Sequence, residues 1–319
     1  MNRIIISRTD GIGDVVLTLP LCRWIRTTFP KATLVYLCKN YTAPLVSCFR
    51  PIDGIITFED LVTMDTPTRR NTLKADLIVH VFPNKTVAKW AKQAGIPQRL
   101  GTSHRWFHLL YCNRLVSFTR KKSELHEAVL NFNLLTPLGL KELPDFQSIK
   151  DIGSEFYIKE ENRYPYERFV ILHPKSQGSA IEYPLQKYRA LAIALVAAKY
   201  QVLITGTSKE RMEVGDSFDG ISGVRNVMGE FTLSEFIALI QQSEGVIACS
   251  TGPLHLAGLM NRKALGLFSP RVPIHPGRWK PLGLNARALV YDEGCKKCSK
   301  GIPCTCIQNI PVEAITAYF

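Results

Sequence analysis

The sequence predicts an α/β fold made of two parallel-sheet domains, and three observations carry that expectation. Short apolar runs alternate with helix-periodic stretches through the first half of the chain, and the alternation restarts in the second half. The chain has 319 residues, more than one core usually organises. Between the two series, Gly139 to Pro165 is poor in periodicity and rich in charge, Pro and Gly, and reads as a linker. Domains are expected at 1–150 and 165–319, with the linker at about 139–165.

In the first half, strands are expected at Arg3–Ser7, Thr33–Leu37, Gly54–Phe58 and Leu77–Phe82, with a weaker one near Arg99–Thr102. A helix is expected over Val15–Phe29, and a longer one, Ser123–Leu135, closes the domain. In the second half the strands are Phe169–Leu172, Val202–Thr205, Val246–Cys249 and Leu265–Phe268. The helices are Leu185–Lys199, Lys209–Asp216 and Leu233–Gln242, and Val312 to Phe319 is expected to pack back as a helix.

Three strand–loop–helix steps concentrate the chemistry. Ser250-Thr251-Gly252-Pro253-Leu254-His255 joins the apolar run Gly245–Cys249 to a helix start. The first N–H groups of a helix lack partners and the dipole favours negative charge, so a phosphate or diphosphate fits there. His255 in the first turn adds a donor. A second polar and basic loop, His173 to Ser179, follows Phe169–Leu172, and an amphipathic helix begins near Pro184. The third step is Arg8-Thr9-Asp10-Gly11-Ile12-Gly13-Asp14, which lacks the G-x-G-x-x-G fingerprint. It places Asp14 at a helix start, where the dipole keeps a carboxylate ionised and ready to accept a hydroxyl proton. A plain N-cap is the alternative reading of that aspartate.

The formal net charge is +13. It admits nucleic acid, a membrane surface or a phosphorylated substrate as partner. Basic residues are spread in short groups such as Arg69-Arg70, Lys121-Lys122 and Lys296-Lys297, without interleaved aromatic recognition motifs. Solvated surface charge accounts for most of them. An acidic acceptor at an anionic membrane face explains the excess better than RNA does. No run of about eighteen apolar residues is present, so no spanning helix is expected. The first residues enter a strand directly, with no leader pattern, and a cytoplasmic protein is expected, with peripheral contact at the inner membrane surface left open. Of nine cysteines, Cys22, Cys38, Cys48, Cys112 and Cys249 read as small buried hydrophobes. Cys295, Cys298, Cys304 and Cys306 form C-x-x-C-x5-C-x-C, a spacing compatible with zinc, with reduced thiols, or with a disulfide.

Together the three steps carry a resemblance. Arg8 to Pro20, reading RTDGIGDVVLTLP, resembles the opening motif of glycosyltransferase family 9, the heptosyltransferases. Ser250 to Ala257 resembles that family's donor motif, and His173-Pro174 with Tyr183-Pro184 resembles its central motif. The resemblance implies a GT-B arrangement, two Rossmann-like domains facing across a cleft, with the acceptor on the amino-terminal domain and the nucleotide sugar on the carboxy-terminal one. It implies an inverting, metal-independent transfer of a heptose or related sugar, from ADP-heptose, to a lipopolysaccharide core or similar anionic glycan. Asp14 matches the base. Lys175, Ser176, Ser250, Thr251, Gly252 and His255 match the donor site, Glu210 is a candidate for the donor ribose, and Arg8 and Asp10 for the acceptor. No metal or cofactor is assigned to transfer, and no nucleic-acid partner is expected. Two departures stand out: Ile181 where the family has lysine, and Ser250 where it has aspartate. They favour the alternative of a catalytically weak nucleotide-sugar-binding homologue. An NAD-dependent oxidoreductase ranks lower, because the dinucleotide fingerprint is missing.

Overall fold

The computed structural model describes residues 1–120, 123–158 and 164–319, so Lys121-Lys122 and part of the expected linker lie outside the described residues. The chain divides into two compact units, Met1–Tyr157 and Ile158–Phe319.

The first unit is a parallel sheet of β1 (Arg3–Ser7), β2 (Thr33–Cys38), β3 (Gly54–Thr57), β4 (Leu77–His80), β5 (Gln98–Thr102) and β6 (Arg114–Val116), ordered β3-β2-β1-β4-β5-β6. Helices cover both faces of such a sheet, so its central strands are apolar throughout rather than alternating. Ile4, Ile5 and Ile6 are accordingly all fully buried. The expected helix Val15–Phe29 is two helices, Ile12–Val16 and Leu19–Thr28. Pro20 is the reason: it lacks an N–H and its ring clashes with a preceding helical turn, so the chain restarts with proline in a new first turn. Likewise Ser123–Leu135 resolves into a short helix, Glu127–Asn131, followed by a 3-10 segment, Phe132–Leu138, which contains Pro137 and ends at Gly139 with φ of 98°.

Residues 139–157, expected as linker, pack on the first unit. Tyr157 N donates to Cys48 O at 2.6 Å and Arg50 N to Glu155 O at 2.9 Å. Arg23 Nε meets Glu155 at 2.8 Å.

The second unit repeats the plan with β7 (Phe169–His173), β8 (Gln201–Ile204), β9 (Val224–Asn226), β10 (Gly245–Cys249), β11 (Lys263–Phe268) and β12 (Ala286–Val290), ordered β12-β11-β10-β7-β8-β9, all parallel. Leu172, Ile204, Ile247 and Leu265 pack with Tyr188, Leu191 and Leu195 of the Leu185–Ala197 helix and with Ile315 of the Val312–Thr316 helix. Tyr183 OH donates to Ile310 O at 2.8 Å, which ties the carboxy-terminal segment to the loop after β7. Among the described residues, no helix is long and apolar enough to cross a membrane.

Both sheets follow the doubly wound order, and each has one point where that order reverses: between β1 and β4, and between β7 and β10. Loops at the carboxyl ends of the strands on either side of such a point diverge and leave a crevice. The Arg8–Asp14 loop leaves β1 there, and the loops after β7 and β10 occupy the equivalent place in the second sheet.

The helix that follows β10, Gly252–Leu259, owes its position to a close backbone crossing. A Cβ on Gly258 would stand 2.1 Å from Leu282 O and 3.0 Å from Pro281 Cβ. Gly283, at φ of +113°, completes the contact, since its Cβ would stand 2.0 Å from Gly258 O. Overpacking of this kind costs about 1–3 kcal/mol. Gly258→Ala is expected to lower unfolding free energy by about that amount in urea titrations, and an unchanged midpoint would contradict the crossing.

Candidate active-site elements of the two units

In the first unit the site is organised by one buried cation. Arg8 follows the last residue of β1 and is 3% exposed. Its Nε donates to Asp10 Oδ1 at 2.9 Å and its Nη2 to Asp10 Oδ2 at 3.1 Å. The same Nη2 donates to Asp14 Oδ1 in a short ion pair. Nη1 reaches Asn131 Oδ1 at 3.3 Å and Glu127 Oε1 at 3.8 Å. Arg120 closes the network from outside, with Nε on Glu127 Oε1 at 2.8 Å and Nη2 on Asn131 Oδ1 at 3.0 Å. Glu127 is 1% exposed and is a buried charge that needs these two arginines.

The electrostatics follow from three carboxylates sharing this network. Burial works against the charge of Arg8, yet Asp10, Asp14 and Glu127 outweigh it and raise the guanidinium further. Burial lifts the Asp10 carboxyl to about 6; Arg8 pulls it back down, while the charge of Asp14 adds to the rise. Asp14 lies in the first turn of the Ile12–Val16 helix, its side chain 28% exposed, so it is the reachable member of the group. The loop is held from beside by Asn84 Nδ2, which donates to Thr9 Oγ1 at 3.1 Å, and by Tyr41 OH, which donates to Asp10 O at 3.0 Å.

In the second unit, Lys175 and Ser176 do not stand open. Lys175 Nζ meets Glu182 Oε2 at 2.6 Å and Glu213 Oε2 at 3.2 Å. Ser176 gives both its N–H, at 2.8 Å, and its hydroxyl, at 2.9 Å, to Glu182 Oε1. Glu182 thus occupies the anion position of its own loop. Burial pushes its carboxyl up, but Lys175 and Ser176 prevail and hold it low. Hydrogen bonding to Glu182 raises the Lys175 ammonium in return.

The loop after β10 offers the anion site more directly. Thr251 is the N-cap of Gly252–Leu259, yet its side chain makes no capping bond. Its hydroxyl is buried and has no hydrogen-bond partner among the described residues. The first helical bond runs from His255 N to Thr251 O at 3.3 Å, so the Gly252 and Leu254 amides precede the regular ladder. His255 itself is buried, 2% exposed, and is a wall of this turn more than a surface donor. Next to this turn, Ala180, Ile181, Ser250, Leu267, Phe268, Ser269 and Ile274 line a shallow recess. Ile181 and Ser250, the two departures from the family pattern, therefore face the same space.

Glu210 is not a surface charge. It is buried at 3% exposure and closes a capping box, with Oε2 accepting from Thr207 N at 2.7 Å and Thr207 Oγ1 at 2.9 Å. Sequence reasoning missed Glu127, Asn131, Arg120, Glu182 and Ser269. Only Glu182, seven residues after Lys175 and next to the Tyr183-Pro184 step, carried a local signal; the others reach their places through tertiary packing.

Residues 88–305 match the family model described as glycosyltransferase family 9 (heptosyltransferase). The chain is 28% identical to lipopolysaccharide heptosyltransferase 2 of Escherichia coli K12, over 94% of this chain and 91% of that protein. Its fold is similar to that of a family 9 glycosyl transferase from Veillonella parvula, with a TM-score of 0.78 and 19% identity over 99% of this chain and 95% of that one. It is also similar to an E. coli heptosyltransferase solved with ADP, with a TM-score of 0.75 and 14% identity over 99% and 98% of the two chains. The loops that carry Lys175 and Thr251 fall inside the matched region, and the chain belongs to glycosyltransferase family 9.

Proposed function

We propose that this glycosyltransferase moves a heptose, or a related sugar, from ADP-heptose to a lipopolysaccharide core or similar anionic glycan, with inversion and without a catalytic divalent metal. The observation that carries the reading is the pair of loops at sheet reversal points: an accessible carboxylate, Asp14, in the first unit, and a helix start with an uncapped, buried Thr251 in the second. The relatives named as heptosyltransferases, one of them solved with ADP, support the donor class.

In the proposed reaction, Asp14 accepts the proton of an acceptor hydroxyl. The oxygen forms a bond to the anomeric carbon as the bond from that carbon to the diphosphate breaks, and ADP leaves with the electron pair. The transition state has oxocarbenium character, as in glycoside hydrolysis. Negative charge developing on the diphosphate is met by the Gly252 and Leu254 amides, the Thr251 hydroxyl and the helix dipole. Lys175 and Ser176 join them when the diphosphate displaces Glu182 from their donors. Arg8 has two parts here. It pairs with the Asp14 carboxylate, and through Asp10 and Glu127 it fixes where that carboxylate points. Arg8 and Asp10 also border the proposed acceptor position. His255 and Gly252 shape the donor turn, Ser250 faces the sugar, and Glu210 braces the loop beside the ribose.

The second reading, a homologue that binds nucleotide sugar but transfers poorly, is favoured by Ile181 and Ser250 in the recess and by Glu182 on Lys175. Purified protein that binds ADP yet shows no turnover with ADP-heptose and heptose-acceptor glycans would favour it. On the leading reading, Asp14→Asn binds ADP with wild-type affinity by calorimetry and loses turnover by about a hundredfold or more. The pH profile gives the same experiment a second readout. Asp10 is raised to about 6, so it is neutral below that pH and ionised above it. When neutral it no longer holds Arg8 with a full counter-charge, and the position that Arg8 gives Asp14 is loosened. Turnover is therefore expected to rise as pH passes about 6, and that limb is expected to vanish in Asp10→Asn; an identical limb in the variant would contradict it.

The acceptor class also fits a surface of the first unit. On the helix Trp106–Tyr111, Trp106, Leu109 and Leu110 are 61%, 59% and 54% exposed. Lys85 Nζ lies 4.7 Å over the Trp106 ring, and Lys92 Nζ donates to Leu110 O at 2.9 Å. Apolar side chains rimmed by lysines suit an interface of anionic lipid, and we place peripheral contact with the inner face of the inner membrane here, for a protein resident in the cytoplasm. Trp106→Ser/Leu110→Ser is expected to reduce sedimentation with phosphatidylglycerol vesicles by about fivefold or more while leaving the melting temperature unchanged. Equal sedimentation of both proteins would remove this surface from the account.

A further inference from the structure

We propose that Cys295, Cys298, Cys304 and Cys306 bind one thiophilic divalent ion, zinc or ferrous iron, in a closed four-thiolate site. The four Sγ atoms all lie within 4.8 Å of one another. A tetrahedral site with metal–sulfur bonds of about 2.3 Å sets its sulfurs about 3.8 Å apart. The cluster therefore closes on an ion with side-chain adjustments of about an ångström. The Cys298 and Cys304 sulfurs stand at 2.7 Å, beyond the roughly 2.05 Å of a disulfide bond.

The backbone presents the sulfurs from two directions. Cys295 is the N-cap of the single turn Lys296–Ser299, and Ser299 N donates to Cys295 O at 3.1 Å. Cys298 sits on that turn, three residues on, so both thiols emerge on one side. Gly301, at φ of +71°, then reverses the chain, with its N–H on Cys298 O at 2.9 Å. The reversal brings Cys304 and Cys306 back against the first pair. Cys298 and Cys306 are buried, and Cys295 and Cys304 are half-buried, so an ion reaches the site from solvent and is then walled from behind.

The charge also balances. A divalent ion with four thiolates carries a net charge of about −2, the four thiol protons having gone to solvent. Lys296, Lys297 and Lys300 belong to the same loop and offset it. All four coordination positions come from the protein, which leaves none for substrate and makes this a structural site. Its reach is set by Ser269, whose Oγ lies 3.2 Å from Cys298 Sγ. With the ion bound, that hydroxyl donates to the thiolate, an outer-shell contact of the kind that orients metal ligands. Ser269 lines the recess beside Ile181 and Ser250. The ion would thus fasten the Cys295–Cys306 loop to one wall of that recess. The assignment does not depend on which sugar is transferred.

The test is metal analysis of the full-length chain, purified without a histidine tag under reducing conditions. About one equivalent of zinc or iron per chain is expected, retained through gel filtration and lost in Cys295→Ser/Cys304→Ser. Because that variant can fail to fold, the wild type supplies an independent readout. After metal removal, added cobalt is expected to produce thiolate-to-cobalt charge-transfer absorption at one equivalent. Two results would overturn the proposal: protein without bound metal that also takes up no cobalt, or a Cys298–Cys304 disulfide in chain alkylated directly in the cell extract.

Discussion

The first unit depends on the charge of Arg8. A guanidinium at 3% exposure cannot stand alone, because the desolvation cost of an unpaired buried ion is several kcal/mol. Here it is compensated by Asp10, Asp14 and Glu127, and the acids are in turn compensated by Arg8 and Arg120. Removing one partner from such a network typically costs about 3–5 kcal/mol, since it leaves a buried charge without its counterpart. The arrangement also ties distant parts of the unit together. Arg8 follows β1, Glu127 and Asn131 lie on a helix more than a hundred residues later, and Asn131 Nδ2 donates to Leu17 O at 3.1 Å. The loop that presents Asp14 is therefore fixed by the same ion pairs that surround it.

The second unit solves a different problem with the same sheet order. On the proposed function, its loops hold an anion that comes and goes. Thr251 leaves its helix start uncapped by any side chain, while Glu182 satisfies Lys175 and Ser176 with an internal carboxylate. An internal anion satisfies the basic loop by itself and, on the proposed function, competes with the diphosphate. The recess beside it, lined by Ile181, Ser250 and Ser269, has lost a charge of each sign relative to the family pattern. What remains is a small pocket of apolar and hydroxyl groups, consistent with sugar contacts made through hydroxyls and shape in place of ion pairs.

Much of this was legible in the sequence, for identifiable reasons. Buried central strands such as Ile4–Ile6 and Val246–Cys249 are continuous apolar runs, so they announce themselves. The strands that escaped notice, β6, β9 and β12, all lie at sheet edges, where residues such as Arg114, Arg225 and Arg287 are compatible with partial exposure. Pro20 was visible, but helical periodicity alone ran through it, and the chain restarts a helix there; Ser123–Leu135 was read as one helix, whereas the α-helix ends at Asn131 and continues as a 3-10 segment. The loop motifs gave Arg8, Asp10, Asp14 and Thr251 because these residues are neighbours in sequence. Glu127 and Asn131 could not be read in this way; nothing local marks a glutamate that is buried only because an arginine from β1 arrives beside it. Glu210 was seen, but its burial in a capping box was not, although Thr207 three residues earlier is the usual signal.

The central claim is a division of labour, with nucleotide held by the loops after β7 and β10 and the proton acceptor held by Arg8 after β1. Hydrogen–deuterium exchange of the wild-type chain with and without ADP tests it most directly. The account predicts slowed exchange in peptides spanning Lys175–Glu182 and Ser250–His255, with peptides spanning Arg8–Asp14 unchanged. Protection confined to the Arg8–Asp14 loop, with the second-unit loops unaffected at saturating ADP, would contradict it.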